Sequence, residues 1–172
     1  DNYPNYKYVD GLYDYMVVNY RREKLVSDGI FCWLSTEYEL KEPDPTLLQK
    51  MIYLGKIVYL TSVSLPDQDL QNILGYTRGQ YDFCENNEAQ MWHYIAEQKH
   101  LFSTDRLTVS KYCDPAPSTA YFPQSSPGRS GLFIGYKIVE SYLENNKDVT
   151  LEQLMEDNDS QMILEKSGYN PR

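Results

Sequence analysis

Histidine is the scarcest ionisable residue in this chain of 172: there are two, His93 and His100. No H-E-x-x-H occurs, so the helix that holds zinc through two imidazoles one turn apart, with a glutamate reaching the metal's water, is missing. Cysteine is nearly as rare. Cys32, Cys84 and Cys113 form no C-x-x-C, which leaves neither a cysteine zinc site nor a closed disulfide framework. Their spacing also gives no support for pairing a thiol nucleophile with either histidine. Cations are short: sixteen Lys and Arg against twenty-five Asp and Glu give a net charge of −9, so nucleic acid, a polyanion, is not an expected partner. A serine elbow and a phosphate-cradling glycine loop are both absent, and the enzyme case has little to stand on. Long apolar runs are lacking too. The least charged stretch, residues 51–66, holds sixteen residues including Lys56, short of the ~20 that span a bilayer. It predicts a buried helix.

What is present is tyrosine: seventeen, six of them in the first twenty residues. Such rings suit core and half-core packing with the hydroxyl near the surface; a sugar-stacking or protein-docking surface is the rival reading. Alternation is nowhere sustained, and the pattern predicts an all-α bundle forming one domain over residues 1–172, with at most a minor extended piece near residues 25–40. The spacing predicts a helix capped by Asp44 with Pro45 first, running to about Ser62. It also predicts a short one from Asp67 closed by Gly75, a start at Thr77 with Gln80 in capping-box spacing, and a long helix from Glu85 to Phe102. The inward stripe of that long helix is Glu88, Met91, Trp92, Ile95 and Phe102. Residues 113–128 contain four prolines and predict a loop. Ser126 then caps a helix to about Asn145, Thr150 with Gln153 opens another, and Gly168 closes the last. The opening, Asp1 to Asp10, reads as interior sequence rather than a start.

Three constellations stand out. Lys56 and Glu88 are charges in apolar surroundings; turned inward, each needs a partner, because an unpaired buried charge costs several kcal/mol. The economical expectation is one network shared by Lys56, Glu88, Trp92, Asp105 and Arg129, with a Lys56 side chain that runs along its helix to water as the rival reading. Glycines at 131 and 135 flatten one side of their helix and, with Gly55 and Gly128, predict close backbone packing. The amides near Gly128 with the Arg129 cation suit a carboxylate, an internal one such as Glu88 included. Finally, His93, Glu97 and His100 at i, i+4 and i+7 offer a minority metal stripe, although such polar faces are usually solvated surface.

Several segments resemble one family in order across most of the chain. They are TLLQKMIYLGKIVYL (46–60), LGYTRGQYDFCENNEAQMW (74–92), FSTD (102–105), DPAP (114–117), SPGRSGLFIGYKIVESYLENN (126–146) and ILEKSGYNP (163–171). Together with DNYPNY near the start they resemble the C-terminal half of the gliding motility-associated lipoprotein GldB family. The resemblance implies a cell-envelope component on the periplasmic side, anchored by a lipid on an upstream segment and lacking a known enzymatic activity. It also implies a distant likeness to predicted zinc peptidases, and so to the helical part of a zincin-like fold. Leu54 would stand where those have a ligand glutamate, and Lys56 near the place of the missing ion. The expected function is therefore non-catalytic binding of envelope proteins, such as motility or secretion machinery, with no cofactor, no metal, and membrane contact only through that anchor. The alternatives are a zincin-type metal-dependent hydrolase using the His93 stripe, or a glycan or peptidoglycan-binding module built on the tyrosines.

Overall fold

The computed structural model describes residues 11–172. The DNYPNY stretch and the first three tyrosines therefore lie outside the described residues. Nine helices follow in order, and no strand occurs among the described residues: α1 Asp14–Val17, α2 Leu25–Glu37, α3 Leu47–Ser64, α4 Leu70–Leu74, α5 Arg78–Glu97, α6 Arg106–Cys113, α7 Ser130–Asn145, α8 Leu151–Glu156 and α9 Ser160–Ser167. The fold is all-α, as the missing alternation implied. Short 3₁₀ turns at Arg22–Lys24 and His100–Phe102 link α1 to α2 and α5 to α6.

The centre is the pair α3 and α7. Both are buried over most of their length, and Leu47, Met51, Ile57, Val58, Phe133, Ile134, Ile138 and Val139 are without exposed surface. The glycines set how near the two backbones come. A methyl group added at Gly135 would fall on the carbonyl of Met51, and one at Gly55 would fall on the carbonyl of Gly135, 2.7 Å from the Tyr136 nitrogen. Gly131 sits against Tyr112 and Cys113 of α6, and Gly128 against the backbone of Ala116. Close approach between helices is thus present at Gly55, Gly131 and Gly135, whereas Gly128, outside the helices, packs on the loop backbone of Ala116.

Local signals account for most helix ends. Thr46, Thr77 and Thr150 each accept from the amide three residues on, while Gln49, Gln80 and Gln153 reach back, so three capping boxes open α3, α5 and α8. Gly75 and Gly168 close α4 and α9 with left-handed backbone.

Several expectations are corrected. Helix α3 is capped by Thr46, not Asp44, because the Thr46 box satisfies its first amides while Asp44 pairs with Arg106 at 2.7 Å. Helix α4 starts at Leu70 rather than Asp67. No break separates the helix begun at Thr77 from that expected at Glu85; both are α5. Phe102 lies on the turn after that helix and is 60% exposed, its inward place taken by Leu101. Helix α6, capped by Asp105, occupies a stretch left unassigned. Helix α7 begins at Ser130: Arg129 takes the left-handed conformation, and Thr119 of the preceding loop accepts from the Ser130 amide at 3.2 Å. Ser126, expected as the cap, is buried with its hydroxyl unbonded among the described residues. The extended piece near 25–40 is α2. Its inward residues Ser27, Phe31 and Leu34 follow helical spacing, but apolar residues on its outer side blur the period.

Candidate functional site

Lys56 lies midway along α3 and is 6% exposed. Its ammonium donates to the backbone carbonyl of Asp157, the residue that ends α8. A cation on the last carbonyls of a helix relieves unpaired acceptors and meets the negative end of the dipole. Burial pushes the Lys56 amine down to about 8, and the Asp157 carboxylate offsets part of that shift. Lys24 makes the same construction at another corner. It is 5% exposed and donates to the carbonyls of Asn72 and Ile73 in α4, at 3.0 and 3.4 Å, while pairing with Asp28 at 2.9 Å. A cavity of about 670 Å³ opens beside Lys56, between the 37–42 loop and the α8–α9 corner, with Glu37, Glu39, Glu42 and Glu156 on its walls.

Glu88 has a separate partner. It accepts from the Tyr169 hydroxyl at 2.8 Å, and the Tyr169 ring meets Trp92 edge-on at 5.1 Å, so Glu88 and Trp92 together fasten the C-terminal tail to α5. Burial, and then the Glu88 charge, push the Tyr169 hydroxyl far above its usual value, so it remains a donor. Asp105 is exposed at the head of α6, where it accepts from the amide and hydroxyl of Thr108 at 2.9 and 2.6 Å; these bonds hold its carboxyl below the usual range. The single network expected of Lys56, Glu88, Trp92, Asp105 and Arg129 is therefore three separate fastenings and a cavity wall. Only Glu88 and Trp92 meet.

Arg129 is that wall. Its φ of 63° is a left-handed conformation, uncommon for a residue with a side chain. Three contacts hold it there. Its carbonyl accepts from the buried Tyr76 hydroxyl at 2.9 Å, its Nε donates to the Cys113 carbonyl at 3.3 Å, and its guanidinium lies 5.9 Å from the centre of the Phe31 ring. Among the described residues no carboxylate pairs with it, so the Glu88 clamp is not formed. The cavity it borders measures about 290 Å³ and has Phe31, Ile73, Leu74, Pro115 and Leu132 among its apolar walls. Asn19, also on that wall, has a buried side-chain oxygen with no donor.

The histidine stripe comes apart. Helix α5 ends at Glu97, and Lys99 turns left-handed with φ 58°, carrying His100 off the face shared by the exposed His93 and Glu97. His100 instead places Nδ1 2.9 Å from the Tyr112 hydroxyl, with its ring tilted against that of Tyr121 at 5.0 Å. Among the described residues no three His, Cys, Asp or Glu side chains converge as metal ligands would. The thiols are unpaired: Cys32 is exposed, while burial raises Cys84 strongly and pushes Cys113 up to about 12, keeping both protonated.

Sequence reasoning missed Asp157, Tyr169, Lys24 and Lys137. The i, i+4 spacing of Lys24 and Asp28 was visible, as was Tyr169 in the closing motif. Lys137 lies between Glu85 and Glu140 at 3.5 Å each; its i, i+3 spacing to Glu140 was a local signal, while Glu85 comes from α5 and was not.

These features define an all-helical body around a glycine-faced helix pair, with the buried Lys24 and Lys56 closing helix ends and Arg129 without a carboxylate partner among the described residues. The chain belongs to the family of the gliding motility protein GldB, whose family model matches residues 1–171. No curated protein and no solved structure matches it. The family is one of motility lipoproteins, and among the described residues no helix is long and apolar enough to cross a membrane.

Proposed function

We propose that this chain is a non-catalytic component of the gliding-motility envelope, facing the periplasm in its lipid-anchored form, and that it works by holding a partner protein. The Arg129 cavity is the proposed holding site, for an apolar segment of the partner that bears a carboxylate. One observation carries the reading: in a chain of net charge −9, Arg129 is fixed in a left-handed backbone at the wall of a cavity where the carboxylate among the described lining residues, Asp28, is paired with Lys24. A guanidinium held by a carbonyl and an aromatic face keeps its outer N–H groups for a carboxylate, the group its planar fork matches. The described polar residues nearest the centre support a binding role over a catalytic one. Lys56 closes α8, Glu88 holds the tail, and both buried thiols stay protonated. Leu54, where the resemblance to zinc peptidases expects a ligand, is buried among apolar neighbours.

Arg129→Asn is the direct test, since asparagine tolerates the left-handed backbone while removing the cation. Full-length protein should recover motility or secretion components from envelope extracts, and the variant should lose them while still melting cooperatively. Equal recovery by both proteins would remove the cavity from the reading. Peptide turnover abolished by a chelator would remove the non-catalytic role itself.

A further inference from the structure

Helix α2 carries an outer face that nothing in the described chain uses. At 100° per residue, Leu25, Val26, Gly29, Cys32, Trp33 and Thr36 fall on one side, opposite Ser27, Phe31 and Leu34. Leu25, Val26 and Trp33 are 66%, 59% and 61% exposed, and Cys32 is exposed with a free thiol. Gly29 sharpens the question. A glycine inside a helix weakens it, and the glycines inside the central pair α3 and α7 answer to a neighbour: Gly55, Gly131 and Gly135 each meet atoms within 3.0 Å of an added methyl group, while Gly79, in the first turn of α5, meets none within 4 Å. At Gly29 the same methyl group would meet nothing within 4 Å. Bulk flanks Gly29, and Gly29 itself leaves a dent, so the face has a ridge and a groove.

The charges around α2 run against its own dipole. At the positive N-terminal end Arg21 and Arg22 stand against Glu23, while the buried Lys24 is already held by the carbonyls of α4 and by Asp28. Residues 37–42 hold Glu37, Glu39 and Glu42 against Lys41 at the negative C-terminal end. For a solitary helix this order is unfavourable. A second α2 laid antiparallel reverses it, because each basic end then meets an acidic end and the two dipoles oppose. Between these ends, over residues 25–36, the only charge is Asp28, which pairs with Lys24 at 2.9 Å, in a chain whose net charge is −9. Two copies can thus meet here without the repulsion the rest of the surface would impose.

We infer that the outer face of α2 binds a second copy of this chain, the two helices crossing antiparallel about a two-fold axis near Gly29 and Cys32. The interface is isologous: Trp33 of one copy packs beside the groove at Gly29 of the other, and Arg22 faces Glu37. None of Leu25, Val26, Gly29, Cys32 or Trp33 lines the Arg129 cavity, so this inference stands or falls apart from the proposed partner site.

Sedimentation of the purified 172-residue chain in reducing buffer tests it. A monomer–dimer equilibrium is expected, with tryptophan emission shifting to the blue as concentration rises; Trp92, 8% exposed, should contribute little to that shift. A short bismaleimide should join two chains through Cys32, and Cys32→Ser should lose the cross-link while keeping the dimer. Trp33→Asp should weaken dimerisation by roughly tenfold or more. Gly29→Leu fills the groove at a place with room for it, and should do the same in a monomer that still melts cooperatively. Arg22→Glu should weaken the dimer, and Arg22→Glu with Glu37→Arg should restore it. A chain that stays monomeric at every concentration overturns the inference, as does a dimer indifferent to Gly29→Leu and to the charge exchange. A monomer whose tryptophan emission shifts only on phosphatidylethanolamine vesicles also overturns it, assigning the face to lipid.

Discussion

Helices α2 and α7 both carry glycine in mid-helix on a side with large apolar residues, yet the two glycines answer to different things. At Gly135 the neighbour is inside the chain: the carbonyl of Met51 occupies the space a side chain would need. At Gly29 the space is empty. The first is fixed by the fold, and the second is left unexplained by it. A glycine in a helix is thus evidence of close approach only after its neighbour has been found. The sharpest way to break this contrast is Gly135→Ala. Its methyl group cannot displace a flexible tip, because backbone stands in the way, so α3 and α7 must separate across the most buried part of the core. A loss of at least about 3 kcal/mol is expected, at the high end of overpacking, read as a drop in the midpoint of urea unfolding. A change under about 1 kcal/mol would mean that the seam yields easily.

The seam also carries Lys56, whose buried charge is compatible with the fold only through the Asp157 carbonyl. Folding lowers this amine from 10.5 to about 8. Below 8 it is charged in both states, and its burial disfavours the fold. Between about 8 and 10.5 the folded chain has released a proton that the unfolded chain still holds, so the contribution of Lys56 to stability rises with pH across that window. The cysteines and tyrosines raised by burial act in the opposite direction at higher pH, so the quantity to measure is the difference between wild type and Lys56→Met. From pH 7 to pH 9 wild type should gain about 1 kcal/mol on the variant. A constant difference would show that the charge is not buried in solution.

These two regions also differ in how far they could be read in advance. The seam was legible because its signals are local. Gly131 and Gly135 are four apart on an apolar helix and Lys56 is the one charge in an apolar run, although local signals misplace the caps of both seam helices, on Asp44 and Ser126. What those residues touch was not legible. Lys56 meets a carbonyl 101 residues away, Glu88 a hydroxyl 81 away, and Ser130 takes its cap from Thr119 across a loop. Each outcome depends on how helices are placed, which no local pattern encodes. The histidine stripe failed for a similar reason, since its spacing assumed a helix that Lys99 brings to an end. Helix α2 was obscured by its own surface. Leu25, Val26 and Trp33 on the outside add apolar residues out of phase with Ser27, Phe31 and Leu34 on the inside, and together they erase the period that would have marked it.

Alanine at Gly29 turns the contrast into a difference of sign. With nothing nearby to collide with, the methyl group should raise the stability of the monomer by about 0.5–1 kcal/mol, the ordinary gain of alanine over glycine in a helix. Gly135→Ala should do the reverse several times over. Thermal melts at a concentration low enough to keep the chain monomeric will read both, and destabilisation by Gly29→Ala would place an internal neighbour where none is seen.

The smallest effect is the most discriminating. Trp33 is one of two tryptophans, and in the lone chain its ring is more than half exposed. Removing it as Trp33→Gln deletes no contact of the core, so the melting free energy of the dilute monomer should stay within about 0.5 kcal/mol of wild type. Trp92→Gln, by contrast, removes the ring under Tyr169 and frees the tail. If Trp33→Gln destabilises the dilute chain as Trp92→Gln does, α2 packs outward against its own polypeptide, and its outer face is interior rather than surface. If it leaves the monomer untouched, exposed tryptophan beside an unfilled groove has no intramolecular purpose, and the pressure that keeps it there must come from another molecule.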